Sequence, residues 1–223
     1  RAAAELGCGP IALGHTASDR VETLILNLLR GCGVAGLRGI PPVRRPFVRP
    51  LIALWRHQVE AYCNAAGLRT RADASNLDTE RFLRNRVRHE LLPLLEREYR
   101  AGAAEALLRC AEAVEEELEW TEPAVREALE AARACGDRPL SLSVEALRAM
   151  REGLLFRVLR AGAEEAFGDV RDWRWEHFAA LADAVRRAET GHRVSLPGGL
   201  EALVSYGRLI IGPRRAEPAA IEE

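Results

Sequence analysis

The pattern of apolar positions at the start of the chain predicts a short buried strand followed by an amphipathic helix. Pro10-Ile11-Ala12-Leu13 is a continuous apolar run of the kind buried in parallel sheets. From Ser18 onward, apolar residues recur at the spacing of one helical face: Val21, Leu24, Ile25, Leu28 and Leu29. Thr16 or Ser18 is placed to cap this helix. The pattern therefore indicates a strand, a turn and a core-facing helix.

A second strand–helix pair follows. Phe47-Val48-Arg49 has the composition of a short strand that ends at Pro50, and residues 55–66 show helical spacing before the stop signal of Gly67. A polar loop over residues 71–78 leads to a further predicted helix over residues 80–92, which Pro93 is expected to break or kink. Alternation of strands and helices is typical of an α/β fold.

The rest of the chain changes character. Helical spacing predicts segments around residues 103–118 and 122–134 and further helices beyond residue 143, and from Arg193 the apolar period changes from 3.6 to 2. Short strands around the turn Pro197-Gly198-Gly199 then predict a small β element that closes a mainly helical domain. We expect domains at residues 1–96 and 97–212, followed by a loose tail at 213–223.

Charge divides the chain in a similar way. Residues 1–100 contain 16 arginines and 10 acidic residues, whereas residues 101–223 contain 16 arginines and 23 acidic residues. A basic first part suits a polyanion such as nucleic acid, although two ordinary solvated surfaces would have the same composition. The five cysteines form no C-x-x-C pair, which argues against disulfide and zinc frameworks. The sequence shows no membrane-spanning run, and we expect a cytoplasmic protein.

The turn after the first strand contains the leading candidates for catalysis, His15, Asp19 and Glu22. Carboxylates in the first turns of a helix are favoured by the helix dipole, so a structural interpretation of Asp19 and Glu22 has similar weight. His15 favours a functional interpretation, because the carboxyl end of a strand is the usual ligand crevice of open α/β sheets.

Two further stretches offer basic groups. On the predicted helix over residues 80–92, one face carries Arg81, Arg84, Asn85 and Arg88, whose like charges repel unless an anion lies against them. Phosphate groups would supply that anion, and partial neutralisation by Glu80 and Glu90 is the alternative. The glycine-rich stretch after Arg30 lacks the spacing of a phosphate-binding loop, so a helix C-cap explains it equally well.

Five blocks in order carry a resemblance: GHTASDRVET (14–23), NLLRGCGVAGLRGI (27–40), VRPL (48–51), DASNLD (73–78) and RNRVRHELLP (84–93). Together they resemble the tRNA(Ile)-lysidine synthetase family of PP-loop ATP-pyrophosphatases. The resemblance implies the C-terminal portion of a parallel-sheet, Rossmann-like PP-loop domain, followed by a helical domain that contacts tRNA.

The resemblance also implies a reaction and roles for residues. ATP would adenylate the wobble cytidine of the isoleucine tRNA with anticodon CAU, and free L-lysine would then displace AMP, with Mg²⁺ as the implied metal. His15 would hold the base or the phosphates, and Asp19 and Glu22 would receive lysine, with Asp19 as a candidate Mg²⁺ ligand. The groups implied for substrate or phosphate binding are Arg30, Arg49, Arg84, Asn85 and Arg88. The oligomeric state is open, and a homodimer is one of the states considered.

The sequence departs from the family pattern in two ways. Ser18 and Arg20 replace the Asp and Gln that are frequent in the GHTxDDQxET motif, which leaves Asp19 as its sole aspartate. The ATP-binding SGGxDS motif would be expected before Arg1, so we expect a fragment that is inactive alone. Two alternatives remain open: another PP-loop tRNA-modifying enzyme, although a thiolating relative would need paired cysteines, and a non-catalytic RNA-binding remnant.

Overall fold

The chain divides into two compact units, residues 1–119 and 120–223. In this computed structural model the described residues are 5–69, 83–134, 140–168, 170 and 172–214. The division falls inside a long helix, whereas the sequence placed a boundary after residue 96. The expected domains at 1–96 and 97–212 stay a prediction, and the loop at 71–78 and most of the tail lie outside the described residues.

The first unit contains a small sheet of three strands, β1 (Ile11–Ala12), β2 (Val43–Arg44) and β3 (Phe47–Val48). The order is β1-β3-β2, with β1 parallel to β3 and β2 antiparallel to β3. The Ile11 N–H donates to the Pro46 carbonyl over 2.8 Å, and the Leu13 N–H donates to the Val48 carbonyl over 2.9 Å. The two strands predicted around residues 10–13 and 47–49 are therefore present as a parallel pair. The burial predicted for the first strand is wrong in the described residues, because Ile11 is half-buried and Ala12 is exposed.

The predicted helix after β1 is also present, as α1 (Ala17–Leu29). It begins at Thr16, which has extended backbone angles and is the N-cap residue. Its buried apolar positions are Ala17, Val21, Leu24, Ile25 and Leu26. Leu28 and Leu29, which the sequence placed on the same apolar face, are 52% and 62% exposed. The core-facing stripe therefore ends one turn earlier than predicted.

The described part of the first unit contains or begins four more helices: α2 (Val34–Leu37), α3 (Arg56–Ala65), α4 (83–99) and α5 (Ala103–Ala132). Helix α2 forms where the sequence indicated only a glycine-rich turn. The Asn27 side chain donates to the Gly36 carbonyl over 2.8 Å and holds α2 against α1. Helix α3 confirms the helix predicted over residues 55–66.

Helix α4 does not break at Pro93, so of the expected break or kink the break is wrong. It passes through two wide turns of π-helix, Val87–Leu91 and Leu95–Tyr99, separated by the α-helical Leu92–Leu94. In a regular α-helix the proline ring would collide with the carbonyl four residues earlier. A π-type turn before the proline widens the backbone and relieves this collision, so the helix continues.

In its described residues, the second unit contains the end of α5, a four-stranded antiparallel sheet and three further helices. Their bounds are β4 (Leu140–Ser143), α6 (Val144–Arg148), α7 (Glu152–Phe167), α8 (Trp175–Arg187), β5 (Arg193–Leu196), β6 (Leu200–Ser205) and β7 (Arg208–Pro213). The strand order is β4-β7-β6-β5. The small β element predicted from the change of period is confirmed, and residues 140–142 join it as an edge strand.

The core of the second unit is apolar and continuous. Helix residues such as Leu159 and Leu181 are fully buried against sheet residues such as Leu209 and Ile211. His177 lies at the start of α8, where its Nδ1 accepts a hydrogen bond from the Arg174 backbone N–H over 2.9 Å. This histidine therefore has a capping role. None of the helices in the described part of the chain is long and apolar enough to cross a membrane.

Helix α5 contains Pro123 in its interior, where the sequence had suggested two separate helical segments. An interior proline loses one backbone hydrogen bond and costs about 3 kcal/mol relative to alanine. We expect Pro123→Ala to raise the free energy of unfolding by about 1–3 kcal/mol, measured by chemical denaturation. The exposed Glu127→Ala on the same helix serves as a control and should change stability little. A destabilised Pro123→Ala variant would show that the proline relieves a strain elsewhere.

Candidate active site

The turn after β1 is organised by a reciprocal interaction between Thr16 and Asp19. Asp19 is the third residue of α1, and its Oδ2 accepts hydrogen bonds from the backbone N–H and the hydroxyl of Thr16, each over 2.8 Å. A carboxylate at this position satisfies a donor that the helix start would otherwise leave unpaired. The structural interpretation of Asp19 is therefore correct for one of its two oxygens.

The other oxygen of Asp19 points to helix α4. Its Oδ1 lies 2.8 Å from Nη2 of Arg84 and 3.4 Å from Nη2 of Arg88. The same carboxylate thus caps α1 and forms an ion pair with a residue 65 positions later in the chain. Both oxygens of Asp19 therefore have partners within the fold, and its catalytic role stays a prediction.

Glu22 lies one turn further along α1 and is only 1% exposed. Arg88 binds it through two donors, Nε to Oε1 over 2.6 Å and Nη2 to Oε2 over 3.0 Å. Arg84 adds a third contact from Nε to Oε2 over 2.7 Å. A paired guanidinium–carboxylate geometry of this kind is the strongest form of charge-assisted hydrogen bond in proteins.

Asp19, Glu22, Arg84 and Arg88 form what we call the ionic cluster, with a formal charge of zero. The sequence predicted that an anion lies against the arginine face of the helix over residues 80–92, and the anion in the structure is the pair of carboxylates from α1. Among the described residues, the partners of Arg84 and Arg88 are these carboxylates, and the part of the alternative that concerns Glu80 is not tested. Glu90 instead lies 3.5 Å from the exposed Arg86, while Glu80 and Arg81 lie outside the described residues.

The cluster shifts the acidity of its members. Burial alone would raise the pKa of Asp19, but the hydrogen bonds from Thr16 and the charges of Arg84 and Arg88 outweigh burial and lower this pKa below its ordinary value of 3.8. The hydrogen bond to Glu22 raises the pKa of Arg88. Both groups therefore stay ionised at neutral pH.

His15 and Arg49 form a second pair beside the cluster. Nε of Arg49 donates to Nδ1 of His15 over 3.3 Å, and Nη1 of Arg49 donates to the Pro41 carbonyl over 2.8 Å. Burial lowers the pKa of His15, and the charges of Arg49 and Arg84 lower it further against the opposing effect of Asp19. His15 is therefore neutral at pH 7, and because Nδ1 accepts a hydrogen bond, the proton lies on Nε2.

The remaining sequence-predicted residues have different positions. Asn85 is buried on α4, next to Arg84. Arg30 is the C-cap of α1, so 11 residues of helix separate it from Asp19, a distance of about 16 Å. The structure thus brings His15, Asp19 and Glu22 together with the basic groups of α4, and does not bring Arg30 to them.

A cavity of about 260 Å³ opens beside the ionic cluster. Sequence reasoning missed most of its lining, which consists of Ser18, Val21, Glu22, Trp55, Arg56, His57, Arg88, Leu92, Ala104 and Glu105. The signal in the sequence for this lining was the helical spacing of apolar residues from Trp55, which placed Trp55 at the start of α3. A second cavity of about 240 Å³, in the other unit, contains neither a histidine nor a group of the ionic cluster.

The described residues do not fit a Mg²⁺ site built by the protein alone. No group of three or more histidine, cysteine, aspartate or glutamate side chains within metal-binding reach occurs in the described part of the chain. Asp19 and Glu22 are already neutralised by two guanidinium groups, so they offer no net negative charge to a cation. The predicted metal role of Asp19 gains no support from this arrangement.

The depressed pKa of Asp19 predicts a pH dependence of stability. A carboxylate whose folded pKa lies below its unfolded value stabilises the fold above the unfolded value of 3.8, and this contribution is lost as pH falls through the folded pKa. We expect Asp19→Asn to lower the free energy of unfolding by about 1–2 kcal/mol at pH 7 and to flatten the acid limb of its pH profile. Denaturation series between pH 7 and about 2 measure both effects.

The matched control is Asp183→Asn, a half-buried aspartate whose ion pair with Arg187 is largely open to solvent, and it should leave the acid limb as it is in the wild type. An acid limb that is equally steep in the Asp19→Asn variant would show that other carboxylates dominate acid unfolding.

Comparison with known proteins shows which proteins this chain resembles. Residues 1–95 match the PP-loop domain family. The chain is 37% identical to a tRNA(Ile)-lysidine synthase of Geobacter sulfurreducens over 99% of its length and 47% of the relative. It is 34% identical to the enzyme of that name from Symbiobacterium thermophilum, over 93% of the chain and 45% of the relative. It is 40% identical to the tRNA(Ile)-lysidine synthase of Mycobacterium tuberculosis, over 80% of the chain and 59% of the relative.

The chain spans about half the length of the first two of these relatives. The similarity covers both units, and the PP-loop match covers β1, α1 and the part of α4 that contains Arg84 and Arg88. The ionic cluster therefore lies inside the matched domain. The chain is thus similar to the PP-loop domain family in residues 1–95, and to the tRNA(Ile)-lysidine synthases over most of its own length.

Proposed function

We propose that the chain provides the lysine-binding side of a tRNA(Ile)-lysidine synthase active site. The observation that carries this proposal is the ionic cluster at the carboxyl end of a parallel strand, beside a cavity of about 260 Å³. The names of the curated relatives support the reaction class. The proposal assigns this chain a partner, the isoleucine tRNA with anticodon CAU, and two small substrates, ATP and free L-lysine.

The proposed reaction has two steps. The O2 atom of the wobble cytidine attacks the α-phosphorus of ATP, and pyrophosphate leaves with the electrons of the broken phosphoanhydride bond. The ε-amine of lysine, after loss of a proton, then attacks C2 of the activated base and displaces AMP. Each step needs positive charge near phosphate oxygens and a binding site for an ammonium group.

The cavity beside the ionic cluster has groups that match free lysine. Glu22 and Glu105 offer carboxylates for ammonium groups, and Arg56 and Arg88 offer guanidinium groups for the α-carboxylate. Trp55 and Leu92 provide apolar surface for the methylene stem. The cavity is smaller than the 300–1,000 Å³ typical of drug-sized ligands, as a site for a single amino acid requires.

Lysine binding in this site requires an exchange of partners. Arg84 and Arg88 occupy the carboxylate oxygens that an ammonium group would use. Arg84 is 38% exposed at its side chain, so it is the arginine that can turn away at lower cost. Phosphate oxygens of ATP or of the tRNA would give Arg84 a new partner and leave Glu22 free to receive the amine.

The other side of the cluster would face the phosphates. Arg49 is positioned by the Pro41 carbonyl, and neutral His15 presents Nε2–H as a donor to a base or phosphate oxygen. Mg²⁺ would enter as the counterion of ATP, bound mainly by phosphate oxygens, as is usual for this ion. No step assigned to the residues of this chain depends on it.

The transfer reaction itself is the first test. We expect a protein that joins this chain to a preceding SGGxDS segment to form lysidine on the CAU transcript with ATP and L-lysine, and the 223-residue chain alone to form none. In that longer protein, Asp19→Asn should reduce transfer by at least about 100-fold while the fold is kept. Mass spectrometry of nucleosides from the digested tRNA measures the product.

A transcript with uridine in place of the wobble cytidine is the substrate control, and Arg86→Ala is the variant control because Arg86 pairs only with the exposed Glu90 among the contacts described. Lysidine formed by the 223-residue chain alone, or normal transfer by Asp19→Asn, would contradict the proposal.

The exchange of partners gives a second test with two opposite effects in one variant. Arg84→Ala removes a phosphate contact and also the 2.8 Å ion pair to Asp19 Oδ1, which keeps only its longer contact of 3.4 Å to Arg88, while Arg88 continues to hold Glu22. We expect weaker binding of the tRNA with a salt slope reduced by about 1, and about 3–10-fold tighter binding of L-lysine in the absence of nucleotide. Filter binding at several salt concentrations and calorimetry measure the two affinities.

Norleucine, which lacks the ε-amine, is the ligand control and should not gain affinity. Arg86→Ala is again the matched variant and should change neither affinity by more than about twofold. Unchanged affinities in Arg84→Ala would show that Arg84 serves the fold alone.

A further inference from the structure

Arg20 stands out as a buried charge that the ionic cluster does not use. It lies on α1 between Asp19 and Glu22, and only 5% of the residue is exposed. A charged side chain is rarely so buried unless several partners hold it. Its position in the GHTASDRVET block is one where the resembling family frequently has glutamine.

Three acceptors hold the Arg20 guanidinium. Its Nη2 lies 2.8 Å from Oε2 of Glu115 and 3.2 Å from the Ala111 carbonyl, both on α5. Its Nε donates to the Arg38 carbonyl over 2.9 Å, in the segment that follows α2. The side chain of Glu115 is itself only 15% exposed, so the ion pair is shielded from water. One side chain thereby fixes α1 against two other parts of the first unit.

Close backbone packing at the same place supports this role. Gly39 has a φ of +66°, and a Cβ on it would lie 2.6 Å from the Arg20 carbonyl oxygen. No residue with a side chain fits there without movement of the backbone. The backbone at Gly39 therefore packs too closely against α1 to leave room for a side chain.

The location of Arg20 on the helix connects it to the carboxylates. At 100° per residue, Arg20 lies about 160° around α1 from Glu22, on nearly the opposite side. Helix α1 is thus held on one side by Glu115 and on the other by Arg84 and Arg88. A rotation or shift of α1 would move both carboxylates away from the guanidinium groups of α4.

We propose that Arg20, held by Glu115 on helix α5, is a positioning residue that sets the placement of Asp19 and Glu22 against Arg84 and Arg88. Arg20 has no contact with the carboxylates themselves, so it acts through the helix. The proposed role rests on the proposed function for its effect on lysine, and on the geometry of the first unit for its effect on the ionic cluster. Displacements of about 1 Å at a reacting group can cost about 100-fold in rate.

The test measures the ionic cluster directly in the 223-residue chain. Nitrogen NMR of isotope-labelled arginine side chains reports the Nε–H groups of Arg84 and Arg88, which the contacts to Glu22 protect from exchange with solvent. We expect Arg20→Gln, and to a smaller extent Glu115→Gln, to speed exchange of the Arg88 Nε–H by at least about 10-fold at temperatures where circular dichroism shows the variant folded. The midpoint of thermal unfolding should also fall by roughly 5–10 °C.

The control is Glu116→Gln, which makes the same change of charge one residue further along α5 on an exposed side chain. If Arg20 served stability alone, Arg20→Gln would lower the unfolding midpoint but leave the exchange of the Arg88 Nε–H in the folded protein at the wild-type rate. That result would overturn the proposal. Should Arg20→Gln fail to fold, Glu115→Gln decides in the same way, because it keeps a hydrogen-bond acceptor and removes only the charge.

Calorimetry with L-lysine separates this proposal from the proposed function. Weaker lysine binding in Arg20→Gln together with faster arginine exchange would support both. If the wild-type chain binds no lysine even with inorganic phosphate present, the proposed function fails in this chain, yet the exchange measurement still decides whether Arg20 positions the cluster. Lysine binding in Arg20→Gln that equals the wild type, with faster exchange, would limit the role of Arg20 to the cluster and overturn its role in the reaction.

Discussion

The first unit depends on one electrostatic constraint, which is that the carboxylate of Glu22 is almost fully removed from water. An isolated buried carboxylate would cost several kcal/mol, so a structure that buries Glu22 must bring cations to it. Arg88 and Arg84 meet this requirement with three hydrogen bonds of 2.6–3.0 Å. The contact fixes α4 against α1 although more than 60 residues separate them in sequence. The remaining features of the candidate site are arranged around this pairing.

The pairing also means that stability and binding use the same groups. Buried ion pairs contribute little net stability compared with apolar residues of the same size, while loss of one partner is strongly destabilising. Glu22 and Arg88 would therefore be an inefficient way to hold two helices together if that were their whole role. Their cost is easier to understand in a site that must receive an amine and a phosphate, because each ligand finds its counter-charge already in place.

Local patterns predicted much of this arrangement. The apolar run before Gly14 predicted β1, and the helical period after it predicted α1. The residue types of the turn pointed to His15, Asp19 and Glu22 as candidates for catalysis. Like-charge repulsion on the helix of Arg84 and Arg88 correctly required an anion. The identity of that anion could not be predicted, because helical spacing specifies which residues share a face and carries no information about the distant element that packs on it.

The lack of information about distant contacts also explains the other differences between the sequence-based predictions and the structure. The sequence contains Arg20 and Glu115 as ordinary charged residues, and only the packing of α5 shows that they are buried together. Local rules predicted breaks near Pro93 and before Pro123, yet α4 widens into π-turns and α5 continues. In both helices the tertiary packing of an apolar face outweighs a local cost of a few kcal/mol. Local propensity is therefore least reliable where long-range contacts are strongest.

Because the ionic cluster has no net charge, a cation and an anion that bind to it affect each other's affinity. A cation alone must displace a guanidinium group from Asp19 or Glu22, and an anion alone must draw Arg84 from its carboxylates, so each ligand bears the cost of the exchange. When both bind, one exchange serves both, and each ligand raises the affinity for the other by the same factor, as thermodynamic linkage requires. A site built in this way favours an amine together with a phosphate over either one alone. That preference suits a reaction in which the amine must meet a base that already carries its activating phosphate.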